Sequence, residues 1–409
     1  MQSLWLHLQI ALRNIVRQPR RTVAALSAVG FGVTAYLLAG GFIEYIFWGM
    51  REDTIHSHLA HVQVIRPGYL DSGIAEPYSY LLPEEAPERK TIEGMPDVKL
   101  VAPRLSLSGL VSHGDATVSF VADGVVPEAE DLLSRTLLIS EGEGLSSRDP
   151  TGLILGQGLA ANLGAKVGTT VVLLANASSG GINAVECHVR GLFSTITKAY
   201  DDSALRLPLR TAQTLAKTTG AHRWLILLNN TGDTESVLEK LRTQMPAQQF
   251  QVVPWYELAD FYNKTVRLFS RQVQVMKVII ALIILLSISN TLIMMVIERT
   301  GEIGTLMAMG STRAKIMRLF VSEGVLLGLI GGLAGLLVGV LLAQAISAVG
   351  IPMPPPPGMA RGFTGKIFVS WGLAADAVVL ALIATLLASF YPAWKASRMV
   401  IVDALRHNR

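Results

Sequence analysis

The chain has 409 residues, of which 50% are apolar and only 16% charged, too greasy for an ordinary soluble enzyme, which carries about a quarter charged residues. Its formal net charge of +4 averages two unlike regions: residues 51–265 hold 18 Lys+Arg against 25 Asp+Glu, and the remainder 17 against 6. The basic excess lies beside apolar runs, which excludes a nucleic-acid partner as its explanation, and the single cysteine, Cys187, excludes an intrachain disulfide framework and a Cys-rich metal site.

At the start of the chain Leu4, Leu8, Leu12 and Ile15 recur at helical spacing with Gln9, Arg13 and Arg17 off the stripe. This is the pattern of an amphipathic helix lying in a membrane interface, with a signal-anchor flank as the alternative. Crossing a hydrocarbon core of about 30 Å takes about 20 apolar residues in a helix. Four stretches reach that length: Val23 to Phe47, Val278 to Ile297, Phe320 to Ala348 and Trp371 to Tyr391. Glu44, Glu323 and Asp376 are the only charges inside them. The first run continues well past signal-peptide length behind a long basic leader, so it reads as a retained span.

Between the first two spans the period changes. Val62 and Val64, then Arg104 to Val111 and Thr117 to Ala122, alternate as strands, the last two joined by a turn at His113-Gly114-Asp115. Leu153 to Leu155 reads as a short strand followed by a brief helix carrying Leu159, Ala160 and Leu163. Strands Thr170 to Leu174 and Ala184 to Val189 flank the turn Ser178 to Gly181. Helical segments Arg210 to Lys217 and Thr234 to Gln244 interleave with strands Trp224 to Leu228 and Phe250 to Val253. The region is therefore expected to be a mixed α/β domain with its own core. From Trp255 through Gln274 no Pro or Gly interrupts the helical pattern, so the second span is expected to project as a stalk, as is the first through Met50 and Ile55.

Basic residues cluster before the first span (Arg13, Arg17, Arg20, Arg21), between the second and third (Arg299, Arg313, Lys315, Arg318) and after the fourth (Lys395, Arg398, Arg406, Arg409). Short basic segments stay cytoplasmic. Both termini are thus expected in the cytoplasm, with the acidic α/β region exported. The expected fold class is an α-helical membrane protein with four transmembrane helices plus a mixed α/β periplasmic domain inserted between helices 1 and 2. Its divisions are an interfacial helix (1–22), first span and stalk (23–50), periplasmic domain (51–255), stalk and second span (256–297), a cytoplasmic link (298–319), third span (320–348), a short loop (349–370), fourth span (371–391) and a tail (392–409). Pro354 to Pro357 in the short loop favours a stiff polyproline II connector.

No catalytic motif is legible. The chain has no G-x-x-x-x-G-K-[ST], G-x-S-x-G, H-E-x-x-H or paired C-x-x-C, so it is expected neither to hydrolyse ATP nor to bind a cofactor or metal itself. His56, His58 and His61 lie close enough to raise a metal site, yet no nearby Cys completes a set, and interfacial hydrogen bonding is the reading preferred. Within the third span Gly324, Gly328 and Gly332, and again Gly331, Gly335 and Gly339, repeat at G-x-x-x-G spacing, which lets helix backbones approach closely. Packing within the chain and against a second copy both satisfy that pattern. Asn290 and Asp376 are polar in apolar runs and so are functional candidates; an interhelical hydrogen bond for the first and a headgroup contact for the second are the bland alternatives.

The most informative stretch is the link. Glu298, Arg299, Glu302, Ile303, Gly304, Leu306, Met307 and Gly310 form a short helix whose apolar face, Ile303 with Leu306 and Met307, is expected to lie open to a partner or to lipid. This E-R-x-x-E-I-G-x-x-x-A-x-G pattern, followed by Ser311-Thr312-Arg313 and by Glu323-Gly324 entering a Gly-rich span, resembles the permease subunits of the MacB, FtsX and lipoprotein-releasing group of ABC transporters, the mechanotransmission type. Tyr391-Pro392-Ala393-Trp394-Lys395-Ala396-Ser397 with Val402-Asp403-Ala404-Leu405-Arg406 is similar to the closing motif of the same group, with Val402 where proline is usual. Leu155-Gly156-Gln157-Gly158-Leu159-Ala160 resembles its periplasmic domain, and His61-Val62-Gln63-Val64 with Pro67-Gly68-Tyr69 looks like the lipoprotein-releasing branch.

The resemblance implies a permease of four spans per copy, paired with a second copy or a paralogue and bound to a dimer of a separate ABC ATPase subunit that holds ATP and Mg. It also implies that Glu298, Arg299, Glu302, Ile303, Gly304, Leu306, Met307 and Gly310 make the coupling helix. MacB itself carries its ATPase fused ahead of the first span; here the ATPase is expected on a separate subunit. ATP-driven closure would move the stalks, and the MacB-like periplasmic domain would extract or export a lipid-anchored or periplasmic cargo, lipoprotein release foremost, with a periplasmic carrier or adaptor as a further partner. The alternatives are an FtsX-like force transmitter that regulates a periplasmic partner without transport, and MacB-like efflux of a drug, toxin or siderophore.

Overall fold

The computed structural model describes residues 19–73, 75–135, 137–195, 198–354 and 362–400. The expected interfacial stripe at Leu4 to Ile15, the closing motif from Val402 and most of the Pro354 to Pro357 run lie outside them. Contacts divide the chain into two compact units, one drawn from Met1–Trp48, Thr265–Pro352 and Thr364–Arg409, the other from Gly49–Lys264 and Met353–Phe363.

In chain order the main elements begin with α1 (Pro19–Thr54), β1 (Val62–Ile65), α2 (Pro87–Glu93), β2 (Val98–His113), β3 (Ala116–Val125) and α3 (Pro127–Leu133). There follow β4 (Leu138–Gly142), β5 (Gly152–Gly156), α4 (Gln157–Leu163), β6 (Thr170–Asn176), β7 (Ile182–Ser194), β8 (Ala204–Pro208) and α5 (Leu209–Ala216). β9 (Arg223–Leu228), α6 (Thr234–Gln244) and β10 (Gln251–Pro254) complete the α/β unit. The chain then runs through α7 (Asp260–Glu298), α8 (Thr300–Ala308), α9 (Arg313–Val349), two short strands β11 (Ile351–Met353) and β12 (Phe363–Gly365), and α10 (Trp371–Ser397).

In the α/β unit the strands hydrogen-bond in the order β10-β1-β9-β2-β3-β8-β5-β7-β4, and β6 pairs with both β2 and β7. Strands β2, β3, β8, β5, β7 and β6 therefore close into a ring. Side chains alternate along a strand, and one alternate set fills the ring with a single apolar cluster: Leu105 and Leu107, Phe120 and Ala122, Leu153 and Leu155, Val171 and Leu173, Cys187 and Val189, Leu205 and Leu207. The Cys187 thiol, pushed up to about 11 by burial, is one more apolar side chain there. β2 serves two lobes: residues 98–104 pair with β9, and residues 105–113 with β3. In the second lobe one face of β1 and β9 packs Val62, Val64, Trp224 and Ile226 against Val237 and Leu241 of α6. The opposite face packs Leu225 and Leu227 against Leu133, Trp255 and the turn Ile55–Leu59 that continues α1.

Two expected boundaries move. α7 does not begin at Trp255: residues Trp255–Leu258 form a separate turn, and Ala259 (φ −91°, ψ 60°) breaks the path. The reason is that the Trp255 ring turns into the apolar cluster and meets Tyr262 at 5.0 Å. α10 does not stop at Tyr391 either. It runs through Pro392 to Ser397, because Ala393 and Ala396 are buried against Val296, Ile316 and Phe320, packing that outweighs the hydrogen bond proline removes.

The other unit is a helical bundle. α1, α7, α9 and α10 are each long and apolar enough to cross a membrane. Val29, Val33 and Leu37 of α1, Ile284, Ile288 and Leu292 of α7, Leu326 and Leu327 of α9 and Ala377, Ala381 and Ala384 of α10 form one buried cluster.

Candidate functional site

The link between α7 and α9 is built by local rules. Arg299 leaves the helical conformation, and α8 runs for 9 residues. Gly310 then adopts φ +91°, where an L side chain is strained. Its N–H donates to the carbonyl of Met307 at 3.0 Å and that of Ser311 to Leu306 at 3.0 Å, the paired bonds of a Schellman stop. The expected open apolar face turns inward. Ile303 and Gly304 are buried, and Leu306 and Met307 pack beside Ile303 against Val296, Ile316, Phe320 and Ala393. Glu302, Thr305, Ala308 and Met309 face out, Met309 at 72% exposure.

The charged pair ahead of α8 ties it to other helices. Glu298 bonds Arg21 of α1. Arg299 reaches Glu302 through Nε at 3.1 Å and Glu323 of α9 through Nη1 at 3.2 Å. Glu323 is 1% exposed, so this pair is the partner that makes a carboxylate tolerable in an apolar helix.

The glycine ladders of α9 face two neighbours of the same chain. Gly324, Gly328 and Gly332 lie against Ser389, Thr385 and Ala381 of α10, while Gly331, Gly335 and Gly339 lie against Val29, Gly30 and Leu37 of α1. At Gly328 a Cβ would fall 2.1 Å from Thr385 Oγ1, and at Gly335 it would fall 2.5 Å from the Gly30 carbonyl oxygen, a backbone atom with no rotamer to move. Gly332 is looser: a Cβ there would lie 3.5 Å from Ala381 Cβ, an ordinary contact. Thr34 Oγ1 donates to the Gly335 carbonyl at 3.0 Å across the contact.

Of the two intramembrane candidates, Asp376 is engaged and Asn290 is not. The Asp376 carboxylate receives Lys277 Nζ at 2.5 and 2.6 Å and the Tyr36 hydroxyl at 2.5 Å. Asn290 is exposed beside Leu286 and Met294 and makes no side-chain hydrogen bond among the described residues. Lys277 and Tyr36 escaped the sequence reading, although Lys277 stands one residue outside the second span and Asp376 needed a cation.

The α/β unit holds a buried ionic cluster that no motif announces. Arg104 Nη2 donates to Glu130 Oε2 at 2.9 Å, Arg206 bonds the same carboxylate, and Arg223 Nη2 donates to Asp123 Oδ1 at 3.3 Å. Burial alone would raise Asp123; the Arg104, Arg223 and Arg206 guanidiniums outweigh it and hold the carboxyl well below its usual range. Ser134 Oγ and Arg206 Nη2 both reach the Ser57 carbonyl, at 3.1 and 3.5 Å, in the turn that ends the first helix. Of the three histidines near that turn, His61 is spent on the fold: Nδ1 accepts the Leu228 N–H at 3.1 Å and Nε2 lies 3.1 Å from Thr231 Oγ1. The described residues contain no group of three side chains placed to hold a metal.

Residues 22–244 match the MacB-like periplasmic core domain and residues 275–401 the FtsX-like permease C-terminal domain. The chain belongs to the MacB- and FtsX-like family of ABC transporter permeases. The permease is 25% identical over 277 residues to an uncharacterised ABC transporter permease of Methanocaldococcus jannaschii, covering 66% of this chain and 65% of that one. It is 25% identical over 328 residues to the lipoprotein-releasing system transmembrane protein LolE of Haemophilus influenzae, covering 76% and 78%. Among solved structures, the periplasmic region of MacB from Actinobacillus actinomycetemcomitans aligns with a TM-score of 0.36 and 16% identity over 51% of the permease and 93% of that chain. In the permease the FtsX-like match contains α8, both glycine ladders and Asp376, and the MacB-like match contains the ring of strands.

Proposed function

We propose that the permease carries force rather than solute: an ATPase subunit bound at the cytoplasmic face moves α8, and the helices pass that movement to the periplasmic α/β unit, which extracts a lipid-anchored cargo. The observation that carries this reading is α8 itself. Its inner face is held by apolar packing and by the Arg299–Glu323 pair, while Glu302, Thr305, Ala308 and Met309 are presented outward. A short helix fixed to the bundle on one side and open on the other can take a push without unfolding. Lipoprotein release is the favoured cargo class, supported by relatives of that description that align over three quarters of the chain. The buried glycine contacts pack α9 tightly against α1 and α10 of the same copy, which favours work done by the α/β unit over passage through a pore between those helices.

The test is ATP hydrolysis by the complex purified from its native membrane and placed in lipid nanodiscs. A diacylated lipoprotein is expected to raise the rate, and the same protein lacking its acyl chains is not. Stimulation by a soluble cell-wall hydrolase instead would favour an FtsX-like transmitter, and purification without any ATPase subunit would overturn both readings.

A further inference from the structure

The polar contact among Tyr36, Lys277 and Asp376 has a property that the apolar packing around it lacks. The buried side of α7 opens with Ile280, Ile284, Ile288 and Leu292, ahead of Met295 and Val296; the first four are nearly identical side chains at intervals of four. A helix repeats itself almost every four residues, so advancing α7 by four, about 6 Å with a rotation of about 40°, sets each of these side chains close to where its neighbour was. Such a stripe holds α7 in the bundle with little to fix its height beyond the Ser289 Oγ hydrogen bond to the Ala388 carbonyl of α10 at 3.0 Å. α7 is also the least buried of the four long helices. Lys277 is different: its Nζ lies 2.5 and 2.6 Å from the two oxygens of Asp376 on α10 and 5.9 Å from the centre of the Tyr36 ring on α1, and the Tyr36 hydroxyl donates to the same carboxylate. One turn of sliding in either direction removes the ammonium from its carboxylate and breaks the contact.

We propose that Tyr36, Lys277 and Asp376 form a register clasp, a positioning site that fixes the height of α7 against α1 and α10 so that displacement entering at α8 is transmitted instead of being lost as slippage. The proposal rests on the force-transmission reading for its purpose, though not for its geometry. Beyond the stripe, where α7 ends, the Arg21–Glu298 pair holds α1 and α7 in the same way. With both ends pinned, the repetitive isoleucine stripe between them can bear axial load.

The experiment uses the full-length permease with its co-purifying ATPase subunit in lipid nanodiscs, spin-labelled at Val275→Cys and Val379→Cys, both on exposed positions of α7 and α10. The inter-label distance is measured without nucleotide and with a non-hydrolysed ATP analogue. In the otherwise unsubstituted protein a single narrow distribution is expected in both states. Lys277→Met and Asp376→Asn are each expected to broaden it or displace it by up to about 5 Å, one turn, with Tyr36→Phe giving a smaller broadening. The exchange Lys277→Asp with Asp376→Lys is expected to restore the narrow distribution. Narrow distributions in all variants overturn the clasp, as does a charge exchange that fails to rescue. If neither single charge variant inserts, Tyr36→Phe and the exchange decide on the same criteria. Loss of the ATPase subunit on purification would sink force transmission while leaving the nucleotide-free distances to judge the clasp by themselves.

Discussion

His61 and His222 show how a residue can be conspicuous in sequence and structural in role. Each accepts a backbone N–H at Nδ1, from Leu228 and from Ser106, at 3.1 Å. Each then has a partner for Nε2, Thr231 Oγ1 at 3.1 Å and the Pro77 carbonyl at 3.0 Å. The neutral ring with its proton on Nε2 satisfies all four contacts; a protonated ring would set an N–H against an N–H. Burial, with His56 and Arg51 nearby, lowers His61 to about 4, and burial against a partly opposing Pro77 contact lowers His222 to about 4 as well. The unfolded reference is about 6.5. A histidine with a depressed folded pKa favours the native state fully above the unfolded value and loses that contribution as pH falls toward the folded one. The stability of the α/β unit is therefore expected to drop between about pH 6.5 and 4, by up to about 3 kcal/mol for each ring. Urea midpoints of the full-length protein in detergent at pH 7.5, 5.5 and 4.5 check this, and a flat profile in His61→Gln/His222→Gln would assign the drop to these two side chains. Equal acid sensitivity in that double variant would assign it elsewhere.

At the scale of elements, α8 separates what periodicity reveals from what only the fold decides. That a short helix stands between Arg299 and Gly310 was legible, because a left-handed glycine and an apolar repeat are local signals. Its orientation was not: the surface that covers Ile303 and Leu306 comes from Phe320 and Ala393, and nothing local says that these residues meet it. The glycine ladders were legible as close contacts for the same local reason, and their partners on α1 and α10 were not. β8 was missed because Arg206 and Pro208 interrupt its apolar run, and the arginine is tolerated through distant partners, Glu130, Ser134 and the Ser57 carbonyl. The inward turn of α8 makes two substitutions diverge. Met309→Asp places a charge on the exposed face and is expected to reduce ATPase co-purification at least about tenfold, a loss of about 1.4 kcal/mol, with the melting temperature unchanged. Ile303→Asp places one in a buried apolar contact, at a cost of several kcal/mol, and is expected to lower the yield of folded permease. Subunit ratios in affinity pull-downs and melting curves in detergent read the two effects, and unimpaired co-purification of Met309→Asp would remove the outward face from consideration as the docking side.

At the scale of the whole molecule, composition and structure agree on a division of labour. The acidic stretch between the first two spans builds a unit with its own closed ring of strands, and the basic remainder builds the bundle. Each unit has its own apolar core: Leu155, Leu173 and Leu205 belong to one cluster and Val33, Ile288 and Ala381 to another. Two separate cores predict two unfolding transitions, since cooperativity follows shared buried contacts. Leu155→Ala removes a fully buried side chain from the ring and is expected to lower the α/β transition by about 2–5 kcal/mol. Gly335→Leu, which drives a side chain into the Gly30 backbone, is expected to affect the bundle instead. α1 and α7 complicate this separation in an informative way, because each runs from residues of one unit into residues of the other. If they behave as flexible tethers, the two substitutions should be additive in calorimetry of the full chain in detergent. If they bear load, unfolding the ring should weaken the bundle through them, and the double variant should depart from additivity by more than the about 0.5 kcal/mol expected of distant, independent sites. Force transmission requires the second outcome: strict additivity with two fully independent transitions would leave the bundle no energetic path to the α/β unit.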